Sequence, residues 1–489
     1  MVARSCRLQA PAGETLPERR AMIEKRSNEP MKHYFSVHGH FYQPPREDPA
    51  TGIVPREPGA GPFHDYNEKI LSECYRPNAE HGNFDQITFD IGPTLGLWMR
   101  KHHPAVLDRI VEGDRRAVER TGHGNAIAQS FHHTILPLAS PRDRLTEIRW
   151  GNRWFEHTFG RQPRGIWLPE TAVDYPTLEA CAAEGLRFTI LSPEQAAQPV
   201  DTRDPYSIAL PSGARFTAVF YEGPLSGTVS FDPSATDSAG HFVDRFVRPR
   251  FTGRSPDAAG SPIVLIASDG EVYGHHHPFK DYFLADLLNV RAPQAGITPV
   301  SLEHYLALHP ASHPGSIREW SSWGCPDQLL RWRGDCSCTP GDGSWKAELR
   351  AAFDVLAARI DTVTEERLDG VVLDPWALRD RYVDVVIGAA TAGDWLIEQG
   401  LPASSPQADV VLTVMRAQQS RLAMYASCAF YWDDLTRIEA AYGVRSGFYA
   451  ARLLDEAFGT SLGAEFAGQL SGVVGWKTDK TAAELYARR

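Results

Sequence analysis

The chain has 489 residues, 42% of them apolar and 23% charged, with a formal net charge of −11. That length is enough for two or three domains with a large core, and the acidic balance argues against non-specific nucleic-acid binding. The seven cysteines, few and odd in number, make no disulfide framework, and no run reaches the roughly 18 apolar residues of a membrane span.

Residues 1–31 are charged and lack the apolar stretch of a secretory signal. They read as a disordered N-terminal extension, with Met31 as an alternative start and the cytoplasm as the expected location. Strand-like runs follow at 33–38 and 86–91, the second leading into a helical pattern over 92–112. A third strand at 125–130 precedes a helix over 141–159 that carries Trp150, Trp154 and Phe155. Strands four and five, 164–168 and 187–191, flank a helix with Asp174 as N-cap, Pro176 in the first turn and Gly185 as its stop. The sixth strand spans 214–221, and a Gly/Pro/Ser/Asp-rich stretch fills 223–262.

The seventh strand is the run of five apolar residues 263–267, as in a strand buried on both faces of a parallel sheet. A helix near 279–289 follows it. Seven strands alternating with helical connections predict an α/β fold, an incomplete parallel (β/α)7 barrel over 32–305. Residues 306–345 are Trp/Cys-rich connecting loops. The pattern over 346–489 is that of a mainly helical C-terminal domain, with helices near 346–366, 373–400, 406–440 and 447–457.

In barrels of this kind ligands bind at the carboxyl ends of the strands. Titratable residues stand there on most strands: His38 and His40, then His132 and His133, Glu170, Glu222 and Asp269. Glu271 and His275 follow close behind Asp269. His38 and His40 are two apart and point to one side of an extended chain. They could hold a metal, bind a sugar or simply cap the strand. Glu170, in GIWLPE beside Trp167, suits a carboxylate in a dry site next to a sugar face; a helix-capping or ion-paired Glu is the plainer reading. Asp269 could equally cap its own turn. Glu170 and Asp269, on non-adjacent strands, are the pair that glycoside hydrolysis requires if the barrel brings them together. Cys325, Cys336 and Cys338 could bind zinc, but their spacing matches no common motif, and buried thiols explain them as well.

These motifs resemble glycoside hydrolase family 57, the α-glucan-acting amylases, 4-α-glucanotransferases and branching enzymes. Its His-x-His opening is similar to His38-Gly39-His40, its Trp-Leu-x-Glu to 167–170, and its Asp-x-Glu-x-Tyr-Gly-His to 269–275. The resemblance implies Glu170 as nucleophile and Asp269 as general acid/base of a retaining reaction. It implies sugar binding by His38, His40 and His133, with an α-glucan or maltooligosaccharide as partner and no cofactor, metal, nucleic acid or membrane. Trp167, Glu271, His275, Trp323, Trp332, Trp432 and Asp433 are further expected substrate contacts. The last three, with Trp323 and Tyr431, are expected where the helical domain closes over the barrel mouth. Two other readings remain open. One is a deacetylase-like metal-dependent carbohydrate hydrolase using His38, His40 and Asp269; the other is a non-catalytic glycan-binding protein.

Overall fold

The computed structural model describes residues 32–253 and 260–487. The expectations for residues 1–31, including a start at Met31, lie outside the described residues.

Among the described residues ten strands form: β1 His33–Phe41, β2 Thr88–Ile91, β3 Ala128–Gln129, β4 Gly165–Trp167, β5 Phe188–Leu191, β6 Pro205–Ala209, β7 Arg215–Phe220, β8 Ile263–Asp269, β9 Ile297–Pro299 and β10 His313–Gly315. All the strands read from the sequence are present, most of them shorter than expected. Parallel pairing runs β8-β1-β2 and β3-β4-β5-β7. A parallel bridge between Phe89 and Ala126 joins the two runs. The seven strands come full circle where the Glu222 N–H donates to the Leu265 carbonyl at 2.8 Å. This is the incomplete (β/α)7 barrel. β1 and β8 are central: all of β1 after His33 is buried, and β8 is buried until Asp269, as apolar strands covered on both faces must be.

Three short strands were not legible beforehand. β6 runs antiparallel to β7, β10 extends β6, and β9 shares an edge of β1 with β2. The helix expected over 92–112 is two helices, Pro93–His102 and Pro104–Thr121. His103 at φ −139 breaks the turn, and Pro104 then starts the second helix, where its missing N–H costs nothing.

Beyond the barrel lie the long helices Trp345–Leu368, Pro406–Ala423 and Ile438–Phe458. The expected helix 373–400 is three short ones, Pro375–Arg381, Val383–Val386 and Ala392–Glu398. The expected helix 406–440 stops at Ala423, re-forms over Cys428–Tyr431 and stops again, so Trp432 and Asp433 lie on a loop. The cause is tertiary: Ala426 pairs with Thr134 of the barrel, and the Ser427 N–H donates to the His133 carbonyl at 3.0 Å. Deeper in the same interface Asp143, on the barrel helix Pro141–Phe159, takes Arg379 at 2.9 Å and Arg421 at 2.5 Å. The connecting segment crosses the barrel mouth, Ile317 bridging to Ala196 and Ser321 to Val173.

Candidate active site

The register of the sheet sets out the centre. His40 pairs with Asp90 on one side and with Asp269 on the other. Neighbours in a parallel ladder point to the same face, so three strand ends present an Asp-His-Asp row. Asp90 Oδ2 lies 2.9 Å from His40 Nδ1, and Oδ1 lies 3.2 Å from His38 Nε2. Gln129 donates to the same Asp90 Oδ2 at 3.1 Å. His40 Nε2 is 3.2 Å from His133 Nε2, and His133 Nδ1 is 2.6 Å from Ser427 Oγ.

Electrostatics fix the tautomers along this chain. Burial opposes a charge on His40, but Asp90, with Asp269 and Glu271 behind it, outweighs that and lifts its pKa to about 9. Burial and the adjacent His40 push His133 well below the ordinary imidazole range. His40 is therefore an imidazolium donating from both nitrogens. His133 is neutral, accepting at Nε2 and donating from Nδ1 to Ser427. Asp90, deep in the protein, is held below the usual carboxylate range: burial raises it, but the two histidines prevail.

Glu170 follows β4 in a tight turn. Both it and Thr171 adopt left-handed backbone, at φ 57 and φ 52, which is sterically costly for a β-branched residue. The surroundings hold the turn. The Thr171 hydroxyl donates to Gln195 Oε1 at 2.7 Å, and Gln195 Nε2 returns a bond to the Thr171 carbonyl at 2.8 Å. The Trp323 N–H donates to Thr171 Oγ1 at 2.9 Å, and its indole N–H to Glu170 Oε2 at 3.1 Å. Burial raises the Glu170 carboxyl, the Trp323 bond, His40 and Arg331 draw it down, the negative charge of Asp269 pushes it up again, and the balance stands at about 7.

Asp269 ends β8 exposed, unlike the buried residues before it. Glu271 behind it is buried and accepts from the Tyr75 hydroxyl at 2.6 Å. Burial, then Asp269, raise it to about 7. His275 turns to Glu73 at 2.6 Å. Gly274, at φ 145, carries the chain there; a Cβ on it would stand 2.3 Å from the Glu73 carbonyl oxygen, so only glycine fits.

Several expected contacts take other roles. Trp167 and Trp332 are fully buried, so neither ring faces a ligand. Trp167 is a platform on which His38 and His40 stack at 4.6 and 5.1 Å. His38 is likewise fully buried and positions Asp90 rather than meeting substrate. Trp323 stands edge-on to Trp167 at 4.9 Å with its indole N–H on Glu170. Asp433 is buried, its carbonyl taking the indole N–H groups of Trp345 and Trp476. Trp432 is exposed, with the Arg437 guanidinium 4.4 Å over its ring. His132 turns away from His133 to Glu147 at 2.7 Å. Glu222 caps the helix Gly223–Phe231 and pairs with Arg250 at 2.8 Å. His38 and His40 both turn to Asp90. Among the described residues only Cys325, Cys336 and Cys338 bring three ligand atoms within 4.8 Å of one another. The metal grouping of His38, His40 and Asp269 is therefore not formed.

Asp90, Tyr75, Arg331 and Ser427 are not among the residues expected from the sequence, whereas Tyr431 is. Asp90 was recoverable, a charged residue interrupting the strand QITFDI at its carboxyl end. Tyr431 had been grouped with its neighbours. It sits within range of the charges of Glu170, Arg331 and Asp269, and burial lifts its phenol to about 12. Arg331 lies 4.4 Å over its ring. Ser427 carried no local signal. A cavity of about 510 Å³ lined by Asp143, Arg350 and Arg421 includes none of the strand-end carboxylates and is separate from this site.

Residues 10–311, more than half of the chain, match glycosyl hydrolase family 57, and residues 342–489 match a domain of unknown function, DUF3536. The chain is 22% identical over 296 residues to alpha-amylase 1 of Dictyoglomus thermophilum, covering 56% of this chain. It spans only 37% of the length of that relative. In fold it is similar to an exo-type maltose-forming amylase from Pyrococcus sp. ST04, with TM-score 0.69 and 15% identity, over 89% of this chain and 83% of that one. It is also similar to a branching enzyme from Thermococcus kodakaraensis, with TM-score 0.59 and 16% identity, over 90% and 94%.

Proposed function

The chain belongs to glycosyl hydrolase family 57, and from that premise we propose that it is a retaining glycoside hydrolase or transglycosylase acting on α-glucans, with Glu170 as nucleophile and Asp269 as general acid/base. The observation that carries this reading is the turn at Glu170. A strained left-handed Glu-Thr pair, fixed by Trp323 and Gln195, holds one carboxyl group within electrostatic range of an exposed Asp269 on another strand.

The chemistry follows from the placement. Glu170 attacks the anomeric carbon while Asp269 gives a proton to the glycosidic oxygen. Water or a sugar hydroxyl, activated by Asp269, then releases the glycosyl group from Glu170. This geometry needs the carboxyl groups about 5–5.5 Å apart with substrate bound. His40, a doubly donating imidazolium, sits beside both groups and adds a fixed positive charge. Glu271 is buried and occupied by Tyr75, which leaves the acid role to exposed Asp269. The names of the relatives, an alpha-amylase, a maltose-forming amylase and a branching enzyme, support an α-glucan substrate.

The deciding experiment is incubation with maltooligosaccharides, starch and glycogen, products being resolved by size, linkage and early anomeric configuration by NMR. Retained configuration is expected; inverted product sinks the double-displacement reading. Glu170→Gln should lower turnover well beyond about a hundredfold, since the glycosyl-enzyme needs the carboxylate. Asp269→Asn should spare substrates with good leaving groups, which need little protonation.

A further inference from the structure

The connecting segment places Trp323 and Arg331 at the mouth, yet it has little regular structure of its own: one three-residue turn of helix, Leu330–Trp332, between β10 and Trp345. Gln328 and Leu329, both at positive φ (52 and 64), turn the chain back on itself. That reversal brings Cys325 to within 3.4 Å of Cys336, sulfur to sulfur, although ten residues separate them. Cys336 and Cys338 are joined in a disulfide here. The three sulfur atoms lie within 4.8 Å of one another.

The surroundings suit anionic sulfur better than a disulfide with a spare thiol. The Cys338 N–H is directed at Cys336 Sγ at 3.3 Å, and Arg331 Nε at Cys338 Sγ at 3.3 Å. Lys346 is fully buried and its Nζ has no hydrogen-bond partner, while Cys325 is among the groups whose charge it feels. Asp327 Oδ2 stands 3.5 Å from Cys336 Sγ and takes the Ser337 hydroxyl at 2.5 Å, so a carboxylate lies next to one of the three sulfurs.

We propose that, in the reduced protein, Cys325, Cys336 and Cys338 with Asp327 form a structural site for a zinc-class divalent cation. Tetrahedral zinc with Zn–S bonds of about 2.3 Å sets sulfurs about 3.8 Å apart, within the spread already present. Two thiols of a reductant open the disulfide, supplying two electrons and two protons. Binding the ion then displaces three thiol protons, and three thiolates and a carboxylate around M²⁺ carry a net charge of about −2. Arg331 and Lys346 supply two positive charges against it. The ion would staple the loop whose Trp323 holds Glu170, a loop with almost no regular structure of its own.

The test uses the full chain, purified with a thiol reductant and without chelator. About one zinc per chain is expected by elemental analysis. After its removal, cobalt(II) should give sulfur-to-cobalt charge-transfer absorption in the near ultraviolet. Cys336→Ser should abolish that band; Asp327→Asn should keep it with at least tenfold weaker binding. The wild-type spectrum does not depend on either variant folding. Reduced wild-type protein that contains no zinc and gives no cobalt–thiolate band overturns the proposal. So does a Cys336–Cys338 disulfide that survives reductant.

Discussion

Removing a single hydrogen bond should move the pH profile of the enzyme in a calculable direction. Trp323→Phe keeps the ring against Trp167, and the backbone N–H on Thr171 Oγ1, while deleting only the indole donor to Glu170 Oε2. A hydrogen bond to a charged group is worth about 1.5–3 kcal/mol, and one pKa unit corresponds to about 1.4 kcal/mol. The donor favours the ionised carboxyl, so its loss raises the pKa by about one to two units. Glu170 stands at about 7. As a nucleophile it must be ionised, so the acid limb of kcat/KM in the wild type should rise with pH through about 7, while loss of the general acid's proton sets the alkaline limb. In Trp323→Phe the rise should move to about 8–9. The assay is kcat/KM for a maltooligosaccharide across pH 5–10, with circular dichroism to show that the variant is folded. An acid limb that stays in place in a folded variant would refute the assignment of Glu170 and its donor together.

Asp90→Asn leaves an imidazolium buried without its counterion, and breaking such a pair costs about 3–5 kcal/mol. His40, raised to about 9, contributes stability that is complete below its unfolded pKa and lost as pH rises through 9. The destabilisation by Asp90→Asn, read from urea unfolding, should therefore shrink above pH 9; a constant difference from pH 6 to 10 argues against a charged His40. Asp143→Asn removes the carboxylate partner of Arg379 and leaves Arg421 with Asp361 alone; it should cost about 3 kcal/mol, with unchanged stability in denaturant melts counting against the pairing. Tyr431→Ala should raise KM for long maltooligosaccharides more than for short ones, leaving turnover of short substrates near wild type. Equal effects on both would place Tyr431 outside the substrate path.

Strand ends were legible because buried strands announce themselves: an unbroken apolar run that ends in Asp, Glu or His has nowhere to put that charge but a mouth. That logic singles out Glu170, Asp269, His40 and His133 as candidates, and the structure brings them to one end of the barrel. β6 and β10 carry little strand signal because each is short and holds a proline, Pro205 at the start of β6 and Pro314 inside β10. Trp167, Trp332 and Asp433 were misread for the opposite reason. An aromatic or acidic residue in a loop looks available to ligand, and only packing shows that Trp167 lies under two imidazoles. The broken helix at 423–428 was invisible because its cause, pairing of Ala426 with Thr134, lies almost three hundred residues upstream.

That same contact has a consequence for how the molecule comes into being. His133 and Ser427 are 294 residues apart, and Ser427 is what fixes the tautomer of the imidazole facing His40. As the chain leaves the ribosome at about 5–20 residues per second, the strands of the barrel are all made well before Ser427 emerges. For that interval the nascent protein has its carboxylates but not the partner that orients His133. Fragments ending before residue 427 should accordingly fold in part and turn over nothing, so premature termination or proteolytic loss of the C-terminal helices would not release a free, indiscriminate glycosidase.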